Sequence, residues 1–221
     1  LGKDEARLKS DLEKKKADHE ALNNAIEGVI QEEVRKRMEE ARSKPKPVPS
    51  KTETPEKEPL KTSTSPSSKP LATEVKPRAE EDNVSFNFRK SKGRLPWPVE
   101  SGFISRGYGK QKHPTLKNIE ITNNGVDIRT DEGATVRCVA DGKIAGIQFV
   151  PGHDYTVIVQ HGDFYTVYTN LASTNLSKGD EVKARQNIGQ VSTNNITGTS
   201  ELHFELWQQK ERLNPALWIK K

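Results

Sequence analysis

The residues best placed to do chemistry lie in one short β-type run, Glu201 to Trp207. Alternation along a strand separates an apolar face, which must be core, from a second face that carries Glu201, His203, Glu205 and Trp207. A carboxylate beside an imidazole can transfer protons or bind a metal ion. A single histidine on a strand is more often structural. The run by itself therefore predicts a groove with polar side chains and leaves the reaction open.

The elements that must position these residues belong to a C-terminal domain. All 13 aromatic residues lie from Phe86 onward, and short β-rich runs separated by turns with glycine fill residues 96–221. Strands this short at such spacing are typical of antiparallel β-structure. We therefore expect a mainly β protein with an antiparallel β domain over 96–221.

The N-terminal region is expected to be helical, because residues 1–42 contain neither proline nor aromatic residues and are rich in Glu, Lys and Ala. Heptad spacing, which places Leu22 at one seam position and His19 and Ile26 at the other, predicts the end of a coiled coil over residues 1–28. After Gly28 the pattern changes, and Ile30, Val34 and Met38 follow four-residue steps. This spacing predicts a separate amphipathic helix over 29–42. The helix either docks on a partner or on its own domain, or it is a solvent-exposed helix end that leads into the linker.

Residues 43–95 are rich in Pro, Lys, Glu, Ser and Thr, which predicts a linker that is disordered over 44–85. The net charge of +5 comes from this segment, since 44–95 holds 12 basic and 7 acidic residues. A nucleic-acid-binding domain would concentrate that charge on the folded part, so nucleic acid is not an expected partner.

Three further classes are excluded by simple observations. No apolar run is long enough to cross a bilayer. The single cysteine, Cys138, rules out an internal disulfide framework and a cysteine-based zinc site, and we expect it to be a small buried residue. The chain begins at Leu1 without a signal peptide, so we expect it to be a fragment of a longer chain.

Five segments carry a family resemblance: Asn123 to Ile128, residues 133–136, residues 141–143, residues 168–171 and Glu201 to Glu205. In order and spacing they resemble the motifs of the LytM, or lysostaphin-like, zinc endopeptidases, which cut peptidoglycan cross-links. With the helix upstream, the chain is most similar to the murein hydrolase activator group, the EnvC-like LytM factors. The resemblance implies a LytM-like domain over 96–221.

The departures from the family pattern concern the metal and the catalytic histidines. At the ligand positions Asp127 and His203 are kept, but Asn123 stands where the family has histidine. At the catalytic positions Glu201 and Asn170 replace histidines. A hydrolytic zinc site needs about three protein ligands and an open position for water. The resemblance therefore implies a degenerate, non-catalytic peptidase domain with no bound metal or other cofactor, which does not hydrolyse peptidoglycan.

A groove without its catalytic centre can still bind a segment of another protein. The resemblance implies that this segment is a regulatory helix of an N-acetylmuramoyl-L-alanine amidase active in cell division. It also implies a periplasmic location and an FtsE–FtsX-type membrane complex as partner of the coiled coil, with peptidoglycan as a further possible partner. The expected groove residues are Asn123, Asp127, Asn170, Glu201, His203, Trp207, Arg106 and Tyr108.

Two alternatives stay open at this point. The first is a residual zinc endopeptidase, and the second is a cell-wall-binding module without an enzyme partner. A further hypothesis concerns regulation: the helix 29–42, through Ile30, Val34 and Met38, occupies the groove of its own domain and competes with the amidase.

Overall fold

The computed structural model describes residues 2–43, 77–112 and 120–220. Its helices are α1 (Gly2–Ser43) and α2 (Pro77–Lys90), followed by twelve strands and a short 3-10 helix, Pro215–Leu217. The strands are β1 (Phe103–Arg106), β2 (Gly109–Lys112), β3 (Glu120–Asn123), β4 (Val126–Thr130), β5 (Thr135–Arg137), β6 (Gly142–Val150), β7 (Asp154–His161), β8 (Phe164–Ser173), β9 (Glu181–Val182), β10 (Asn187–Val191), β11 (Ser200–Gln208) and β12 (Glu211–Leu213).

One antiparallel sheet dominates the domain, and its central order is β1-β4-β11-β8-β7-β6-β9. Strand β10 pairs with both β8 and β5, and β12 pairs with β11. Strands β2 and β3 form a separate two-stranded sheet. Strand β11 lies between β4 and β8, in the interior of the sheet. The predicted antiparallel β domain is therefore confirmed, and the strand with the candidate chemistry is held on both sides.

The apolar side of β11 forms the core, as alternation predicts. Leu202, Phe204 and Leu206 belong to the main hydrophobic cluster. Cys138 lies in the same cluster, fully buried, and burial raises the pKa of its thiol to about 11. The prediction of a small buried residue at this position is confirmed.

The N-terminal region differs from the expected pair of helices, because α1 runs without interruption from Gly2 to Ser43. A glycine inside a helix costs only about 1 kcal/mol, so Gly28 need not end one. Side-chain contacts with the sheet outweigh that cost. None of the described helices is apolar enough over 18 residues to cross a membrane.

The stripe of α1 packs on the sheet face opposite to the main core. Its buried members are Leu22, Ile26, Ile30 and Val34. They cover a surface that we call the outer sheet face: Ala145, Val150, Ile158, Tyr165, Val167 and Trp207. Leu22 and Ile26, which were expected in a coiled-coil seam, are thus buried against the chain's own domain.

The second helix, α2, lies inside the predicted linker and begins in the part, 44–85, that was expected to be disordered. Phe88 on α2 is 2% exposed and stacks on His161 and Phe164, at centroid distances of 4.8 and 4.9 Å. The Ser85 hydroxyl accepts a hydrogen bond from the backbone N–H of Asp163. Residues 77–95 therefore belong to the folded domain. The remainder of the predicted linker, 44–76, lies outside the described residues.

Candidate functional site

The site is built where β4 and β11 pair side by side. In their antiparallel register His203 stands opposite Asp127, so the two side chains leave neighbouring strands on the same face. The Nδ1 atom of His203 lies 2.6 Å from Oδ1 of Asp127. Both residues are buried. The two positions that the sequence singled out as remnant ligands are therefore in direct contact.

His203 is held from its other side by Glu205. Its Nε2 lies 3.0 Å from Oε1 of Glu205, whose Oε2 accepts a hydrogen bond from Nε1 of Trp207. Burial disfavours the charged imidazole, but the hydrogen bonds to the two carboxylates outweigh it and raise the pKa of His203 to about 10. Burial alone would raise the pKa of Asp127 and of Glu205, yet the bond to His203 lowers both. The centre is an imidazolium between two carboxylates.

The second oxygen of Asp127 is also occupied. Arg106 places Nε 3.0 Å from Oδ2, and the Asn123 side-chain amide donates to the same atom at 3.3 Å. Asn123 is fixed in turn, because its Oδ1 accepts from the backbone N–H of Gly125. A Cβ on Gly125 would collide with the carbonyl oxygen of Phe204, so this turn can approach β11 only as glycine.

Zinc is the metal to test here, because the sequence resembles zinc enzymes. A zinc ligand must offer a free lone pair. Both Asp127 oxygens and both His203 ring nitrogens are bonded to protein groups, and Arg106 already supplies a positive charge. Within residues 2–43, 77–112 and 120–220, no three His, Cys, Asp or Glu side chains are arranged to hold a metal. The residues present do not fit a zinc ion.

Glu201 and Asn170 line the same groove but are engaged as well. The Glu201 carboxylate accepts from the Arg129 guanidinium at 3.0 Å and from the Ser105 hydroxyl at 2.8 Å. Asn170 has a backbone φ of 67° and donates its side-chain amide to the carbonyl of Glu201. An arginine-paired carboxylate and a neutral amide are poorly suited to relay protons.

Helix α1 lies over this groove. Side chains from Lys15 to Asn23 line it together with Arg106, Asn123, Asp127, Asn170, Glu201 and His203. The His19 ring stands 6.4 Å from that of His203 and 6.2 Å from that of His153, centroid to centroid. Burial, reinforced by the neighbouring imidazoles, lowers the pKa of His19. One turn of α1 is therefore in contact with the centre of the site.

Polar contacts continue along α1 beyond the groove. Asn23 accepts from the Asn124 amide at 2.9 Å, and Glu27 pairs with Arg212 at 2.9 Å. Near its C-terminal end, Arg37 donates to Gly162 O and to Asp163 Oδ1 at 2.8 and 2.7 Å. Polar and apolar contacts therefore hold the same face of α1.

Several expected site residues lie elsewhere than the sequence indicated. Trp207 shares the face of His203, as alternation predicts, but it is buried under α1 in the outer sheet face. Tyr108 packs against the main core, and its hydroxyl donates to the carbonyl of Arg212. The expected groove-covering residues Ile30 and Val34 pack on the outer sheet face, and Met38 is 56% exposed. The segment in the groove is 15–23 in place of 29–42.

The groove residues predicted from the sequence leave out four residues of the site: His19, His153, Glu205 and Arg212. The strand alternation of β11 already placed Glu205 beside His203, so a signal for it was present. His19 had been assigned to a coiled-coil seam, and its heptad position pointed to a buried face. Only the tertiary structure brings in His153 and Arg212, from the β6–β7 turn and from β12.

Comparison with known proteins agrees with this geometry. Residues 121–215 match the model of peptidase family M23. Over 129 residues the chain is 30% identical to the murein hydrolase activator EnvC of Escherichia coli (strain K12). The aligned region covers 58% of this chain and 29% of that protein. Over 118 residues it is 35% identical to the cell division protein DipM of Caulobacter vibrioides (strain NA1000 / CB15N), covering 52% and 18%.

Among solved structures, the SpoIIQ–SpoIIIAH pore-forming complex contains a similar fold, with a TM-score of 0.50 and 22% identity over 59% of this chain and 93% of that one. The chain spans less than a third of the length of EnvC or DipM, and the likeness lies in its C-terminal part. Residues 121–215 therefore form a LytM-like domain that matches peptidase family M23.

Proposed function

We propose that this chain is a non-catalytic activator of an N-acetylmuramoyl-L-alanine amidase that acts on peptidoglycan in cell division. The observation that carries the proposal is the network at the centre of the site. His203 lies between Asp127 and Glu205, and Arg106 occupies the remaining oxygen of Asp127. In this network neither Asp127 nor His203 keeps a free lone pair for a metal ion that would activate water, whereas the groove can still hold a peptide segment.

Two relatives support the biological setting. One is named a murein hydrolase activator and the other a cell division protein. Transferred to this chain, the names point to peptidoglycan remodelling on the periplasmic side of the membrane. An FtsE–FtsX-type complex, engaged through the helical region before the domain, would be the membrane partner. These assignments are proposals, because the chain covers less than a third of either relative.

We infer further that α1 is the inhibitory element of this activator. It lies over the groove that would receive the amidase helix, and it buries four aliphatic side chains on the neighbouring sheet face. Amidase and α1 would then exclude each other, so any partner that removes α1 raises the affinity for the amidase.

The test combines the full chain, purified peptidoglycan and each N-acetylmuramoyl-L-alanine amidase of the source organism. Ile30→Asp places a charge in the buried contact between α1 and the sheet, and Met38→Asp is the matched control on the exposed side of the same helix. We expect Ile30→Asp to stimulate amidase release of soluble fragments more than the parent chain does, and Met38→Asp to resemble the parent.

The same assay and a sedimentation experiment test the two alternatives. Release of muropeptides by the zinc-loaded chain without amidase, lost on Asp127→Ala, would establish an endopeptidase. Sedimentation with peptidoglycan that survives changes at Arg106 and Glu201, without stimulation of any amidase, would establish a wall-binding module. Either result overturns the proposed function.

A further inference from the structure

One cation under α1 is fixed by the domain itself. Arg212, on β12, lays its guanidinium 4.2 Å from the centre of the Trp207 ring and 3.8 Å from the Glu205 carboxylate. The side chain is 24% exposed. These two contacts come from β11 and do not depend on α1, whereas the side-chain hydrogen bonds of the guanidinium go to Asn23 and Glu27 of α1. A side chain that is ordered beforehand loses little conformational entropy when it binds a partner.

Helix α1 provides two hydrogen-bond acceptors for this cation. Oε1 of Glu27 lies 2.9 Å from Arg212, and Oδ1 of Asn23 lies 3.4 Å from it. Two further ion pairs join α1 to the domain: Arg37 of α1 pairs with Asp163 at 2.7 Å, and Glu33 pairs with Lys178 at 3.1 Å, where the Lys178 side chain is 52% exposed. Exposed pairs contribute little, while partly buried pairs to a fixed arginine discriminate between partners. Of the two domain cations that pair with α1, Arg212 is therefore the one more able to distinguish one helix from another.

Removal of α1 uncovers two surfaces together. The outer sheet face includes the rings of Tyr165 and Trp207. Arg212 loses its carboxylate partner on Glu27. Large exposed apolar patches that are rimmed by polar residues mark sites where another protein binds. A helix that replaces α1 must therefore bring aliphatic side chains and a carboxylate in the same spacing.

We propose that Arg212 is a specificity-determining residue that selects a helix of the partner hydrolase by a carboxylate in the place of Glu27, set among aliphatic residues spaced as Leu22, Ile26 and Ile30. The inference rests on the proposed function and extends it from the groove to the neighbouring sheet face. It identifies the partner segment by chemistry: an aliphatic stripe with four-residue spacing and an acidic residue directly after its second member.

The binding test uses the full chain with Ile30→Asp, whose own α1 is destabilised, and synthetic peptides of residues 13–42 as probes. The peptides are the native sequence, Glu27→Gln and, as matched control, Glu33→Gln. We expect Glu27→Gln to weaken binding about tenfold and Glu33→Gln less than about twofold. When the receptor also carries Arg212→Gln, the native and Glu27→Gln peptides should bind equally.

Two results would overturn the proposal: a Glu27→Gln peptide that binds as tightly as the native one, or a loss that persists on the Arg212→Gln receptor. Should that receptor bind no peptide, Arg212→Lys replaces it. Lysine keeps the charge, so the preference for Glu27 must then survive in part. Sedimentation of the parent chain tests a second copy as occupant, since a concentration-dependent dimer that excludes the amidase would assign the surface to self-association.

Amidase stimulation separates this inference from the proposed function. Glu27→Lys and Arg212→Gln both break the pair that holds α1, but only Glu27→Lys leaves the cation on the domain. We expect Glu27→Lys to stimulate the amidase and Arg212→Gln to stimulate it less. Equal stimulation would overturn the role of Arg212 and leave the activator function standing. Carboxylate-dependent peptide binding without stimulation by either variant would leave the role of Arg212 and overturn the function.

Discussion

The release of α1 should be separable from unfolding of the domain, and two identical substitutions can show it. Ile26 is fully buried between α1 and the sheet, and Ile188 is equally buried in the main core. Replacement of a buried isoleucine by alanine costs about 2 to 5 kcal/mol. A loss of ~2.8 kcal/mol changes the equilibrium constant of the affected opening reaction about 100-fold.

Native-state amide hydrogen exchange is the assay. Ile26→Ala weakens the docked state, so α1 amides over residues 15–34 should exchange about 100-fold faster. Amides of β7 and β8 that exchange by global unfolding should accelerate as well, because the native state itself is less stable. Ile188→Ala should accelerate the strand amides and leave the α1 amides unchanged, since release of α1 does not break the main core. Met38→Ala, on the exposed side of α1, should change neither set.

The refuting result is equally specific. If Ile188→Ala accelerates α1 and the strands by the same factor, α1 opens only when the domain unfolds. Helix α1 would then be a structural part of the domain and unable to serve as a cover that comes off. The inhibitory role assigned to it would fall with that result.

Three further predictions concern stability and docking. Burial lowers the pKa of His161 to about 4, so this imidazole is neutral in the folded protein. The unfolded chain binds the proton more readily, and the free energy of unfolding should therefore fall by about 3 kcal/mol as pH falls from about 7 to about 4. In urea titrations, His161→Gln should lose about 3 kcal/mol less of its free energy of unfolding over the same pH range. A Cβ on Gly146 would lie 2.9 Å from a Val29 methyl, so Gly146→Ala should speed exchange of α1 amides, and unchanged exchange would contradict the close approach. Phe88→Ala should lower stability by about 3 to 5 kcal/mol in thermal unfolding, while Phe86→Ala, at a 55% exposed position of the same helix, should cost far less.

The sequence predicts the β domain well because strand alternation is a local signal. It places Leu202 and Phe204 in the core and His203 on the opposite face, as the structure has them. The contact between Asp127 and His203 follows from the family motifs that carry both residues. Local pattern and family resemblance together therefore define the floor of the groove.

The cover of the groove could not be predicted in the same way. The stripe of Leu22, Ile26, Ile30 and Val34 shows that α1 has a buried side, but a helical stripe does not reveal whether it packs on another helix or on a sheet. A break near Gly28 was predicted because the apolar spacing changes there, but the buried residues Leu22, Ile26, Ile30 and Val34 follow four-residue steps past Gly28. Arg212 lies far from α1 in the chain, and no periodicity connects it to Glu27.

The attachment of α1 at its two ends has a mechanical consequence. Residues 15–23 lie over the groove, while Arg37 fixes the other end to Asp163, whose N–H is also bonded to Ser85 of α2. Tension applied near Gly2 would peel α1 away from the groove one turn at a time, each turn lengthening the free helix by about 5.4 Å. Peeling breaks contacts in sequence and needs less force than sliding the whole helix. The groove would thus be free while the anchor at Asp163 still holds, and the cover would close again when the tension ends.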